Sequence, residues 1–292
     1  MANGKSRAAP GRPAPSVTSA AAKRAEVIST VAQATIRRAA AEAPRSRQIE
    51  MGPSEAGEEC TRRLAYKLMD WPATGRDPDP WPAVQGVAVH AWLADAFRAE
   101  NERLGRERYL VEQRVEPAGA DDVTRLGLAG HTVVPGNLAG SCDLFDRDTG
   151  TVIDWKLTSP ERLRQYAASG PGPKYRTQAH LYGSGLKNAG EHVATVSVAF
   201  LSRAASLSMH VWSEPYSSAV ADDALRRLAS IRDALVALDV ETSPGRWGLF
   251  PTAPGSCRHC PWLKPGSRYL AAGCPGHLDD TTVASSVGSL IA

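Results

Sequence analysis

The sequence predicts an α/β (α+β) fold, a central mixed β-sheet flanked by helices. Three observations predict it. Apolar runs mark strands at 109–116, on both sides of the turn Arg147-Asp148-Thr149-Gly150, and at 193–201 and 207–212. Stripes at helical spacing mark helices over about 84–104, 175–186 and 216–238, the last with Leu225, Leu228, Ile231 and Leu235 in one row. Strands and helices alternate along the chain, an order that builds a sheet with helices packed on it.

The 292 residues, 42% of them apolar, suffice for one large domain or one domain with attachments. No run of about 18 apolar residues is present, so no membrane span is expected. The basic N-terminus lacks the apolar core of a secretory signal, and a soluble cytoplasmic protein is the expectation. The net charge of +3 hides an asymmetry, since residues 1–48 carry nine Lys/Arg against two Glu. A basic arm on a mildly acidic body suits an auxiliary contact with nucleic acid, and equally a solvated tail.

Taken in order, residues 1–18 are rich in Pro, Ala, Gly and Ser and read as disordered. Ser19 to Ala43 can form an Ala-rich helix whose stripe of Ile28, Val31 and Ile36 is thin. Ser54 can cap a helix running through Cys60, Arg62, Arg63 and Tyr66 to about Met69. Pro72 to Pro82 reads as a loop. In the helix over 84–104, Val87, His90, Leu93, Ala94 and Phe97 share a face, which puts His90 in the apolar stripe. The strand at 109–116 offers Glu112 or Glu116 as a further carboxylate. A helical segment begins at Thr158-Ser159-Pro160 and runs to about Ala168, and SGPGP at 169–173 reads as a loop suited to substrate entry. Gln178 and Tyr182, four apart, lie on one face of the next helix.

The stretch from Leu138 to Lys156 is the most informative. With its turn centred between Asp148 and Thr149, the numbers of opposed residues sum to 297, so Asp143 faces Asp154. Two opposed carboxylates repel unless a cation sits between them. A hard divalent ion such as Mg²⁺ binds through one or two carboxylates plus waters and phosphate oxygens. Lys156 shares the face of Asp154 and brings a positive charge for a phosphate or a water, while Trp155 points the other way. Cys142 reads as a core residue.

Five cysteines in a reducing compartment argue against disulfides, and Cys257-x-x-Cys260 suggests metal or redox chemistry. The segment that holds Cys257, Cys260 and Cys274 is rich in Pro and Gly, with little else able to make a core, so four ligands around a metal would staple it. The boundaries that follow are an arm at 1–48, a core at 49–244, a cysteine module at 245–279 closed by Cys60, and a tail at 280–292.

The order of these motifs resembles the PD-(D/E)XK nucleases, and within them the RecB-like iron–sulfur exonucleases of the CRISPR-associated and AddB types. GSCDL with DWK is similar to the nuclease core, GVAVH to the G-x-x-x-H motif, and QAHLY to the Q-x-x-x-Y motif. The resemblance implies a restriction-endonuclease-like core and a Mg²⁺- or Mn²⁺-dependent DNA exonuclease acting on single strands or duplex ends. It implies that His90, Asp143, Asp154 and the Trp155 carbonyl hold the ion, that Asp143, Asp154 and Lys156 carry catalysis, and that Gln178 and Tyr182 line the DNA path. One N-terminal and three C-terminal cysteines, Cys60 with Cys257, Cys260 and Cys274, resemble the ligands of a 4Fe–4S clasp. The 14-position gap to Cys274 departs from the family, leaving His259 or His277 as substitutes and Zn²⁺ as the alternative metal. The rival function is an inactive or partner-dependent nucleic-acid-binding protein on the same stapled fold. The chain has no G-x-x-x-x-G-K-[ST] loop, so any helicase motor, or a recombination or integration activity, belongs to a partner.

Overall fold

The computed structural model describes residues 19–43, 51–74, 79–118, 126 and 138–277; the expectations for 1–18 and 280–292 lie outside them. The chain divides into two units, Met1–Arg47 and Gln48–Ala292. The first contains α1 (Ser19–Glu42), on which Val27, Ile28, Val31 and Ile36 are exposed.

The second unit is built on five strands in the order β1 (Tyr109–Val115), β2 (Gly140–Asp146), β3 (Thr151–Thr158), β4 (Thr195–Ser202) and β5 (Met209–Pro215). All neighbours are antiparallel except β3 and β4, which run parallel over eight residue pairs. A parallel pair needs a long crossover. Here it consists of α5 (Pro160–Ser169) and α6 (Gly172–Asn188). The sheet is therefore mixed, with helices against it, as the sequence predicts. Among the described residues, no helix is long and apolar enough to cross a membrane.

Two apolar layers cover the sheet. On one face Val152, Val196, Val198 and Phe200 pack with Ala179, Tyr182 and Leu186 of α6. On the other Leu144, Trp155, Ala199 and Leu201 meet Leu93 and Phe97 of α4 (Trp81–Leu104). Each large apolar side chain buried in these layers contributes about 1.5–3 kcal/mol. α4 begins earlier than expected because Pro82 stands in its first turn, where the missing N–H costs nothing. In this helix Ala94 is buried, His90, Leu93 and Phe97 are half-buried, and Val87 is exposed.

Two expectations about helix boundaries fail. The helix expected from Ser54 to Met69 is two helices, α2 (Pro53–Ala56) and α3 (Thr61–Leu68), and Cys60 is the N-cap residue of the second. Ser54 is not the cap of the first; Gly52 is. At the break stands Gly57, and the close approach of another helix requires glycine there, since a Cβ would stand 2.6 Å from Lys174 O and 2.8 Å from Lys174 Cα, both backbone. Gly57→Ala is therefore expected to lower stability by about 1–3 kcal/mol, read as a shifted denaturant midpoint. The expected entry loop at 169–173 is also absent. Gly170, at φ +75°, ends α5, and α6 starts at Gly172 with Pro in its first turn, leaving two residues between them.

The segment after α7 (Ser218–Leu238) corrects a third expectation. Trp247, Phe250, Trp262 and Cys274 share one core with Tyr66 of α3 and with Leu225, Leu228, Ile231 and Leu235 of α7. Tyr66 lies 4.4 Å from Trp247 and 5.6 Å from Trp262, ring centre to ring centre. The cysteine segment has an aromatic core of its own, made with distant helices. Metal is not its sole source of order.

Candidate functional site

The β2–β3 pairing has the expected register: Leu144 faces Ile153, Phe145 faces Val152 and Asp146 faces Thr151. The ladder stops there, one pair short of Asp143 and Asp154. Beyond it, Asp143 Oδ2 accepts a hydrogen bond from Trp155 N–H at 2.8 Å. The expected directly opposed pair of carboxylates is thus replaced by two acids turned to different partners.

A local irregularity explains the divergence. In β2, Cys142 and Phe145 pack in one layer although three positions apart, and Leu144 packs in the other. In β1, Leu110 and Val115 likewise share a layer although five apart. Side chains on a regular strand alternate, so both strands change face in between, at Asp143 and at Glu112. The β1–β2 register is the same on either side of this point. Glu112 has φ +53°, a left-handed conformation uncommon for a non-glycine residue. Strain of this kind costs about 1–3 kcal/mol and clusters at functional sites.

The slip gathers ligands. Atoms of His90, Glu112 and Asp143 lie within 4.8 Å of one another, the one such group of three or more His, Cys, Asp or Glu among the described residues. His90 Nδ1 is 3.2 Å from Asp143 Oδ1. Burial works against the imidazolium, but the Asp143 carboxylate outweighs it and raises the His90 pKa. Glu112 accepts a 2.6 Å hydrogen bond from Ser141 Oγ. Glu116, the other carboxylate considered, is exposed.

Asp154, in β3, is 1% exposed. Its Oδ1 accepts from Gln178 Nε2 at 3.0 Å, and Gln178 Nε2 is also 3.2 Å from Tyr182 Oη. Its Oδ2 is 2.7 Å from Lys156 Nζ but makes no aligned hydrogen bond. Gln178 Oε1 is a second buried oxygen without a partner. Burial raises the Asp154 pKa to about 6, with Lys156 opposing and Asp143 reinforcing the rise. Trp155 turns its ring away, stacking 5.8 Å from Phe97. Cys142 is fully buried. A set of hard carboxylate oxygens and one imidazole, beside the partnerless buried Gln178 Oε1, fits a small divalent cation.

The four cysteines Cys60, Cys257, Cys260 and Cys274 line one cavity, together with Arg62, Arg63, Tyr66 and Ser256. Cys274 reaches it across the long gap by a parallel bridge with Leu263, in which Cys274 N–H donates to Trp262 O and Lys264 N–H to Cys274 O, both at 2.7 Å. Three N–H groups donate to cavity sulfurs: His277 N to Cys257 at 3.1 Å, and Gly276 N and Arg62 Nη1 to Cys274 at 3.4 Å. His259 is exposed. No three of these sulfurs lie within 4.8 Å of one another, whereas a tetrahedral zinc site needs about 3.8 Å.

One residue here escaped sequence reasoning. Glu58, 6% exposed, receives Ser256 Oγ at 2.5 Å, Cys60 N–H at 3.4 Å, Arg63 at 3.1 Å and Lys174 of α6 at 3.3 Å. It joins the cysteine cavity to the helix that carries Gln178. Burial would raise its pKa, yet the Ser256 bond and the two cations hold it low.

The sheet thus brings one buried acid, two half-buried acids, a lysine and a histidine to one strand irregularity. The model of the PD-(D/E)XK nuclease superfamily matches residues 38–264, and the chain belongs to that superfamily. Among solved structures the chain is similar to an alkaline exonuclease, LHK-Exo, from Laribacter hongkongensis. The identity is 12% over 67% of this chain and 96% of that one, with a TM-score of 0.33. For LHK-Exo in complex with dAMP the figures are 13%, 68%, 95% and 0.29. No curated protein matches the chain.

Proposed function

We propose that the chain is a Mg²⁺- or Mn²⁺-dependent deoxyribonuclease, acting as an exonuclease, of the RecB-like iron–sulfur type. The observation that carries the reading is Asp154, a carboxylate 1% exposed whose Oδ2 faces the Lys156 ammonium at 2.7 Å. Burying such a charge is costly, and sites that do so are functional candidates.

His90, Glu112, Asp143 and Asp154, with the Trp155 carbonyl, would hold the ion. When bound, it supplies Lewis acidity that lowers the pKa of a water and offsets charge on the phosphate. Lys156 adds a second positive charge toward the non-bridging oxygens and orients the attacking water. Gln178 keeps Asp154 aimed, Tyr182 steadies Gln178, and the two position the strand. The four cysteines would hold a 4Fe–4S cluster beside this core, supported by their shared cavity and wide spacing.

The test is cleavage of end-labelled single- and double-stranded DNA with Mg²⁺ or Mn²⁺, comparing wild type with Lys156→Ala. Wild type is expected to release label or produce a ladder, and Lys156→Ala to lose about 10²–10³-fold in rate. DNA binding without cleavage by folded wild type under both metals would overturn the reading in favour of a binding module.

A further inference from the structure

The stripe of α6 that faces Asp154 begins one turn earlier than the motif residues. Tyr175 stands three positions before Gln178 and seven before Tyr182, so the three share a helix face. Lys156 Nζ lies over the Tyr175 ring, 5.1 Å from its centre. The ring is itself held. It meets Phe200 at 6.0 Å and Tyr166 at 6.0 Å, both edge-on, and Tyr166 stacks on Phe200 at 4.0 Å.

Lys156 thus has two holds, the Asp154 Oδ2 oxygen at 2.7 Å and the face of Tyr175. They differ in one respect. Asp154 Oδ2 is an oxygen that a divalent cation would claim, and a second cation on it is repelled. The ring face offers nothing that a hydrated divalent ion prefers to carboxylates. When Asp154 turns its charge to the ion, the ring is what remains under the ammonium.

We infer that Tyr175 is a positioning residue for Lys156, an aromatic floor that keeps the ammonium at the site while the Asp154 carboxylate serves a metal. This rests on the nuclease reading above. The attraction is of the ring face for a cation. The phenol is not required, so Phe should substitute and Leu should not.

Two measurements test it on the full-length protein. In DNA cleavage with Mn²⁺, Tyr175→Leu is expected to lower kcat about tenfold with KM nearly unchanged and the protein still folded, and Tyr175→Phe to stay within about threefold of wild type. In a Lys156→Ala background, Tyr175→Leu should cost nothing further, because the floor then has nothing to hold. Independently of cleavage, brief amine acylation read by mass spectrometry should label Lys156 several-fold faster in Tyr175→Leu than in wild type or Tyr175→Phe, with Mn²⁺ present. Equal labelling in all three proteins would overturn the inference, as would equal losses for Leu and Phe. A wild type that cleaves nothing yet gives the expected labelling would overturn the nuclease reading and leave the Lys156–Tyr175 hold standing.

Discussion

Asp154→Asn is expected to abolish cleavage, by on the order of 10²–10³-fold or more, while leaving the metal-free protein at least as stable as wild type at pH 7. The two halves of this result have one cause. Burial raises the Asp154 pKa to about 6 in the folded protein, against an unfolded value of 3.8. Between these values the folded state binds the proton more tightly, so stability falls as pH rises. Above the folded pKa the whole cost of the ionised carboxylate is present, about 1–3 kcal/mol. Asparagine keeps the shape and carries no charge, so that cost disappears together with the metal-binding oxygen. Urea titration at pH 4 and pH 7 checks it: wild type should be relatively weaker at pH 7, and the pH difference should shrink in the variant. An Asp154→Asn protein with full activity, or with stability well below wild type, would mean that the acid is structural.

Cys60→Ser is expected to remove the visible absorbance of the anaerobically purified protein and to lower Tm on the order of 10 °C, corresponding to about 3–5 kcal/mol. It should not unfold the chain. Tyr66 packs directly on Trp247 and Trp262, and Arg62 Nε donates to the carbonyls of Trp247 and Phe250 at 3.1 Å. Hydrogen exchange should therefore rise first in α3 and around Cys257–Cys274, then in the first turn of α6 through the Glu58–Lys174 contact. Protection in β3 and β4 should persist. A colourless wild type carrying stoichiometric zinc would replace the cluster by the alternative metal.

What could be read from the sequence was what local chemistry decides. The turn at Arg147–Gly150 fixes the β2–β3 register, and the β3–β4 crossover follows from helical stripes on either side of Pro171. The motif residues Asp154, Lys156, Gln178 and Tyr182 do meet, because strand and helix periodicity already put each pair on one face. The face change at Glu112 and Asp143 was not legible. It moves no residue in the register, and its reward is the meeting with His90, a helix residue 19 positions before the start of β1 at Tyr109. The need for glycine at position 57 was hidden for the same reason, since the atoms that crowd it are the backbone of Lys174 on another helix. The C-terminal core was missed because its partners Tyr66 and Leu225 belong to segments far back in the chain.

The closure of the cysteine cavity has a consequence for how the protein comes into being. Arg62 and Cys274, which touch there, are separated by 212 residues. Contacts of such long sequence separation form late, since the entropy of closing the loop must be met before they stabilise anything. During synthesis the sheet, complete at Pro215, can emerge and fold while α3 still exposes the side of Tyr66 and Cys60 that awaits the C-terminal segment. That interval leaves a thiol and an apolar surface open to solvent. Ribosome-bound chains ending before Cys257 should accordingly react at Cys60 with a thiol reagent, and chains extended past Cys274 should not.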